Sequence, residues 1–199
     1  MKANFKYYIF YKPYNVLSQF TKEDGSESIA DYFFLDEKDV YPVGRLDKDS
    51  EGMLLLTNDK SLNKILLNPK SEKTKTYIAQ VEGIFTKEAI KKLRKGVEIT
   101  VDKVNYKTLP AYAEKINEPL NLPERFPPVR YRKDIPTSWV EIEIMEGKNR
   151  QVRKMLAKVG FPVLRLIRTQ IEDLKMDNIQ PGDILELSRD VLYKKLNLK

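Results

Sequence analysis

Residues 138–146, SWVEIEIME, alternate without a break. Val140, Ile142 and Ile144 share one face, while Trp139, Glu141, Glu143 and Met145 share the other. A period of two over this length is the pattern of a strand with one face turned to a core. Further strands are predicted at 5–11 (FKYYIFY), 40–46, 53–57, 74–82, 97–101, 110–116, 163–171 and 184–187, from aromatic and β-branched runs bounded by turn residues. Four helical pieces fall between them. A short one covers 28–34, and a second is capped by Asn58 or Asp59 with Leu62, Ile65 and Leu66 on its apolar face. A third runs from Thr86 to Lys95 and stops at Gly96, and a fourth is capped by Asn149 and ends at Gly160. Residues 118–136 hold five prolines with Arg125, Arg130, Arg132 and Lys133, and read as a loop.

Strands and helices mixed in this way, with no regular βα repeat, indicate an α+β chain: a mostly antiparallel mixed sheet flanked by helices. The 199 residues suffice for one domain, 1–199, with a division into about 1–60 and 61–199 as the alternative. No apolar run approaches the roughly 20 residues of a membrane span, and MKANFKYYIF does not read as a secretory leader. The expectation is a cytoplasmic protein with no membrane partner.

Two zeros narrow the chemistry. Without cysteine there is no thiol nucleophile or thiolate metal site, and without histidine the usual general base and commonest transition-metal ligand are gone. A carboxylate is the leading catalytic candidate, being ionised and basic at neutral pH without a large pKa shift. The net charge of +7 favours a polyanionic partner, although solubility alone would also account for it.

Three segments carry the chemistry. Gly44-Arg45-Leu46-Asp47-Lys48-Asp49-Ser50-Glu51-Gly52 places a charged turn between two glycines and two apolar strands, an arrangement that can hold a carboxylate rigidly. An ordinary acidic hairpin turn would look the same. Lys75-Thr76-Tyr77 sets an aromatic ring on a strand, suited to stacking on a base or to packing in a core. In Glu146-Gly147-Lys148-Asn149-Arg150-Gln151-Val152-Arg153-Lys154-Met155, the residues Arg150, Arg153 and Lys154 stand at i, i+3 and i+4 at the start of a helix. Cations there oppose the helix dipole, which tilts the reading toward an anionic partner over a merely solvated face.

Together, GRLDKDSEGMLLLTND, the KTY strand and EGKNRQVRKMLAKVGFPVLRLIR resemble the RsuA-type branch of the pseudouridine synthases. YKPYNVLSQF and PTSW are similar to the RluE-like subgroup, which acts on large-subunit ribosomal RNA. The likeness runs along nearly the whole chain. The catalytic pattern begins within the first ten residues, so the small S4 RNA-binding domain of many relatives is expected to be absent.

The resemblance implies isomerisation of uridine to pseudouridine in ribosomal RNA, by a monomer that uses no cofactor and no metal. It makes Asp47 the essential carboxylate, either attacking the anomeric carbon or removing a sugar proton. Arg153 would pair with Asp47, and Tyr77 would pack on the uracil. Arg45 would fill the gap left by a flipped-out uridine. Lys12 and Lys75 are candidates for phosphate contact, and Arg150, Lys154 and Arg130 for wider RNA binding. Two other readings stand beside this one: a glycosidase using two of Asp47, Asp49 and Glu51, and a non-catalytic RNA-binding assembly factor.

Overall fold

The computed structural model describes residues 5–23, 25–34, 39–130 and 132–198. In chain order the elements begin β1 (Tyr7–Lys12), β2 (Tyr41–Pro42), β3 (Glu51–Thr57), α1 (Lys60–Leu67), β4 (Lys75–Glu82) and α2 (Lys87–Arg94). They continue with β5 (Glu98–Val101), β6 (Val104–Lys107), β7 (Tyr112–Ile116), β8 (Thr137–Ile144) and α3 (Gln151–Lys158). The last are β9 (Val163–Ile171), β10 (Leu174–Lys175), β11 (Ile184–Glu186) and α4 (Arg189–Lys195). The class is α+β. No helix among the described residues is long and apolar enough to cross a membrane.

The chain forms two compact units, one from Met1–Lys73 and Arg168–Lys199, the other from Thr74–Ile167. The boundary lies at 73–74 and not near residue 60, because α1 packs back onto the strands that precede it. Leu62 and Leu66 of that helix share a core with Tyr7, Ile9, Met53 and Leu55, and with Leu192 and Leu196 from the C-terminal end.

In the first unit the strand order is β11-β1-β3-β9, with β2 added on β3 and β10 on β9. β1 pairs antiparallel with β3 and with β11. Every residue of β1 and of β3 is buried, which is why Tyr7–Tyr11 and Met53–Leu56 within them read as unbroken apolar runs and not as alternation. Asp59 caps α1 through Ser61 N at 2.9 Å and accepts the hydroxyls of Tyr7 at 2.9 Å and Tyr193 at 2.8 Å. One carboxylate thus ties α1, β1 and α4 together, and its hydrogen bonds hold it below the usual range against the opposing effect of burial.

In the second unit the order is β9-β4-β8-β7, with β5 and β6 as a separate hairpin. β8 keeps its alternation: Val140, Ile142 and Ile144 are buried, while Glu141 and Glu143 are half-buried on the other face. Trp139 lies on that second face and is nevertheless buried. Tyr77 of β4 stands opposite Ile142, and Glu82 opposite Thr137. Thr86 caps α2 through Ala89 N at 3.2 Å, and the 118–136 stretch is irregular over its described residues.

Several expectations shift. The strand at 40–46 shrinks to Tyr41–Pro42, because the backbone turns left-handed at Gly44. Asn149 is not the cap of α3. That position is Arg150, with φ 52° and no side-chain cap bond. Gln151, the first helical residue, folds back instead: its Oε1 accepts Lys148 N at 2.9 Å and its Nε2 donates to Glu146 at 2.6 Å. β6, β10 and α4 have no counterpart among the predicted elements.

Candidate active site

The Asp47 segment of the first unit is fixed at several points by buried groups. Ser18 Oγ accepts Leu46 N at 3.1 Å and donates to Leu46 O at 2.8 Å, so the residue before Asp47 is held from both sides. Ser50 N donates to Asp47 O at 2.9 Å, closing a turn with Lys48 and Asp49 at its corners. Asn15 N donates to Lys48 O at 2.9 Å. Beyond the turn, Gly52 has φ 101°, and a Cβ there would fall on the carbonyl oxygen of Arg168 and 2.8 Å from its nitrogen. Only glycine fits. Arg168 in turn donates Nε to Met53 O at 2.8 Å. The outcome is a half-buried Asp47 on a turn whose flanks, Leu46 and Ser50, are buried, while Arg45 is exposed beside it.

Lys12 lies directly beneath. It ends β1 opposite Gly52 and is completely buried. Its Nζ donates to Pro13 O at 2.8 Å, Val16 O at 2.8 Å and Lys48 O at 3.3 Å. Three donors meet three carbonyls, one of them in the Asp47 turn. Burial pulls its pKa down to about 7, against the opposing pull of Glu51, Asp49 and Asp47. A phosphate has no access to an ammonium so enclosed, so Lys12 departs from its expected role in RNA contact: it braces the turn. A lysine closing a wholly apolar strand just before a proline was the available sign, but lysine is so rarely buried that exposure was the natural expectation.

The second unit holds the other candidates. Tyr77 is 9% exposed on β4, on the same face as the buried Ala79 and Val81, and Lys75 begins that strand half-buried. Arg150, Arg153 and Lys154 come together at the start of α3. Arg150 is exposed and left-handed, a conformation that costs an arginine about 1 kcal/mol or more. Arg153 is half-buried with Nη1 at 3.4 Å from Val163 O, and Lys154 Nζ lies 3.3 Å from Asn149 Oδ1. Arg130 is exposed in the proline-rich loop. Lys12, Arg45 and Asp47 therefore belong to the first unit, and Lys75, Tyr77, Arg130, Arg150, Arg153 and Lys154 to the second.

One residue of the third motif has a part that its sequence did not reveal. Glu146 is buried and accepts Tyr106 OH at 2.5 Å, Leu109 N at 2.8 Å and Gln151 Nε2 at 2.6 Å. That carboxylate pushes the Tyr106 hydroxyl above its ordinary pKa, chiefly through their hydrogen bond. Through Gln151 it is tied to the first residue of α3, the helix at whose start the three cations stand. A glutamate five residues ahead of a glutamine at a helix start was the only trace of this.

Comparison with known proteins agrees with the geometry. A profile described as RNA pseudouridylate synthase matches residues 6–158. The chain is 50% identical over 184 residues to the ribosomal large subunit pseudouridine synthase E of Vibrio parahaemolyticus, covering 92% of this chain and 74% of that one. It is 43% identical over 172 residues to the protein of the same name from Xanthomonas axonopodis, covering 85% and 87%. Among solved structures, one titled as a pseudouridylate synthase superimposes with a TM-score of 0.77 at 24% identity, over 97% of this chain and 74% of that one, a likeness of fold.

Proposed function

The chain belongs to the RNA pseudouridylate synthase family, and from that membership we propose that it isomerises a uridine to pseudouridine in ribosomal RNA of the large subunit. The reaction breaks the N-glycosidic bond, turns the uracil and rejoins it to the sugar through carbon. No atom is gained or lost, so no co-reactant is needed. The observation that carries the proposal is the Asp47 turn, clamped at Leu46 by Ser18 and braced at Lys48 by the buried Lys12. A carboxylate so held can act at the sugar without paying for its own ordering at each turnover. Asp47 serves either as nucleophile at the anomeric carbon or as base toward a sugar proton.

The remaining roles follow the family pattern and not a measured contact. Tyr77 is assigned to the uracil ring and Arg153 to the carboxylate. Arg45, exposed next to the turn, fills the space of the flipped-out uridine. Lys75, Arg150, Lys154 and Arg130 meet the phosphate backbone. A cytoplasmic monomer acting on ribosomal RNA without a cofactor completes the proposal.

Asp47→Asn tests it. Carbodiimide labelling and primer extension on large-subunit RNA should detect pseudouridine with the parent enzyme and none with the variant, while the variant's fold and most of its RNA affinity persist. Substantial product from Asp47→Asn would remove Asp47 from the chemistry.

A further inference from the structure

The proline-rich loop of the second unit lines a half-open cavity of about 230 Å³ whose lining includes none of Asp47, Tyr77 and Arg153. We propose that this cavity is an auxiliary nucleotide subsite, which takes one unpaired nucleotide of the RNA substrate away from the reacting uridine. The inference rests on the RNA-modifying function proposed above and adds to it a second point of recognition.

The cavity's position separates it from the base-stacking candidate. Its floor carries Gln80 and Glu82 of β4, whereas Tyr77 has the opposite parity on the same strand. Alternation puts them on opposite faces of the sheet, and five residues of strand put Glu82 about 17 Å from Tyr77. A base in the cavity is therefore not the one that Tyr77 would meet.

Charge and shape identify the occupant. Arg132 satisfies Glu82 with an ion pair at 2.7 Å. Among the described residues Arg130 and Lys133, both exposed and both lining the cavity, have no ion pair. The rim thus offers two cations to a phosphate. Leu164 supplies part of an apolar wall, and the Gln80 amide, 3.4 Å from Thr137 Oγ1, offers polar atoms to a base edge. An inorganic anion would use the rim and leave the apolar wall idle. A nucleotide uses both. Phe126, 89% exposed on the same loop, adds an aromatic surface in solvent.

The loop is built to hold this form. Arg125 spends its guanidinium on the chain itself: Nε to Pro127 O at 2.8 Å, Nη2 to Pro128 O at 3.1 Å and Nη1 to Leu164 O at 3.4 Å. The buried Arg165 donates to Pro123 O at 2.8 Å, and Gly83 N to Pro136 O at 2.7 Å. A loop pinned at both ends and near its middle presents a preformed surface.

The test uses protein-free, unmodified large-subunit ribosomal RNA carrying 4-thiouridine. The double variant Arg130→Glu with Lys133→Glu should bind this RNA at least tenfold more weakly. Its salt slope should be shallower by about 1.5, and the loss should sit in KM more than in the single-turnover rate. Photocrosslinking of the parent protein should attach RNA to the peptide spanning 123–137. Unchanged affinity, or crosslinks that spare this peptide, would overturn the subsite even if the parent enzyme makes pseudouridine normally. An effect seen with ribosomal particles but not with naked RNA would assign the cavity to a protein partner and overturn it too. If the parent enzyme makes no pseudouridine on ribosomal RNA, the proposed function fails first, and that outcome is read separately in the same assay.

Discussion

At the scale of single residues, Lys12 joins stability, pH and chemistry. Its folded pKa of about 7 lies below that of the unfolded chain, near 10.4, because burial disfavours the charged form. Below pH 7 both states hold the proton and the full cost of burying the charge is present. Between pH 7 and about 10 the folded protein has shed the proton while the unfolded chain still binds it, so stability rises with pH there. Lys12→Met should abolish that rise. Denaturant unfolding of the two proteins from pH 6.5 to 9 should show the difference between parent and variant growing by up to about 1.4 kcal/mol per pH unit in the parent's favour. A pH-independent difference would mean that Lys12 stays charged throughout. How much the sequence disclosed is also clearest at this scale. The turn that carries Asp47 stood out because glycines and apolar strands framed it, but only the family resemblance separated Asp47 from Asp49 and Glu51. Lys12 and Glu146 were obscured because their importance lies in being buried, and burial of a charge depends on partners far along the chain.

Elements were legible where they carried their own punctuation. Thr86 and Gly96 mark the two ends of α2, and the alternation of β8 survives in the fold from Val140 to Ile144. β6 was lost because its hairpin turns on Asp102 and Lys103, both with positive φ, where Asn-Gly would have announced it. α3 was found but its cap misplaced, since a buried hydrogen-bond hub does what an Asn149 cap was expected to do. That hub predicts an effect on the whole element. Glu146→Ala leaves Gln151 short of an acceptor in a buried place and removes the part-buried bonds from Tyr106 and Leu109 N, which should cost about 1–3 kcal/mol by denaturant unfolding. Hydrogen exchange should quicken at the first turn of α3 and in β6. Local exchange at parental rates in a variant of parental stability would show that α3 is set by its own sequence.

For the molecule as a whole, the α+β class followed from irregular alternation of element types, but the two-unit division did not, because it depends on residues 168–199 returning to the first unit. Composition makes the prediction proper to this scale. With no cysteine or histidine in the chain, and no group of three carboxylates placed to hold a metal among the described residues, activity should survive dialysis against chelators. A metal requirement that outlasts controls for RNA folding would contradict the mechanism. The returning segment also has a consequence for biosynthesis. The second unit is a continuous stretch, Thr74–Ile167, and all of it has been translated before the first unit receives its last strand and helix. Leu192 and Leu196 complete the core that also contains Met53 and Leu55, beside the Asp47 turn. The nascent chain can therefore complete the unit that carries Arg150 and Arg153 first, whereas the unit with Asp47 waits for residues 168–199. A chain stopped before residue 168 would carry the cations at the start of α3 but lack the part of the core that Leu192 and Leu196 supply beside the Asp47 turn.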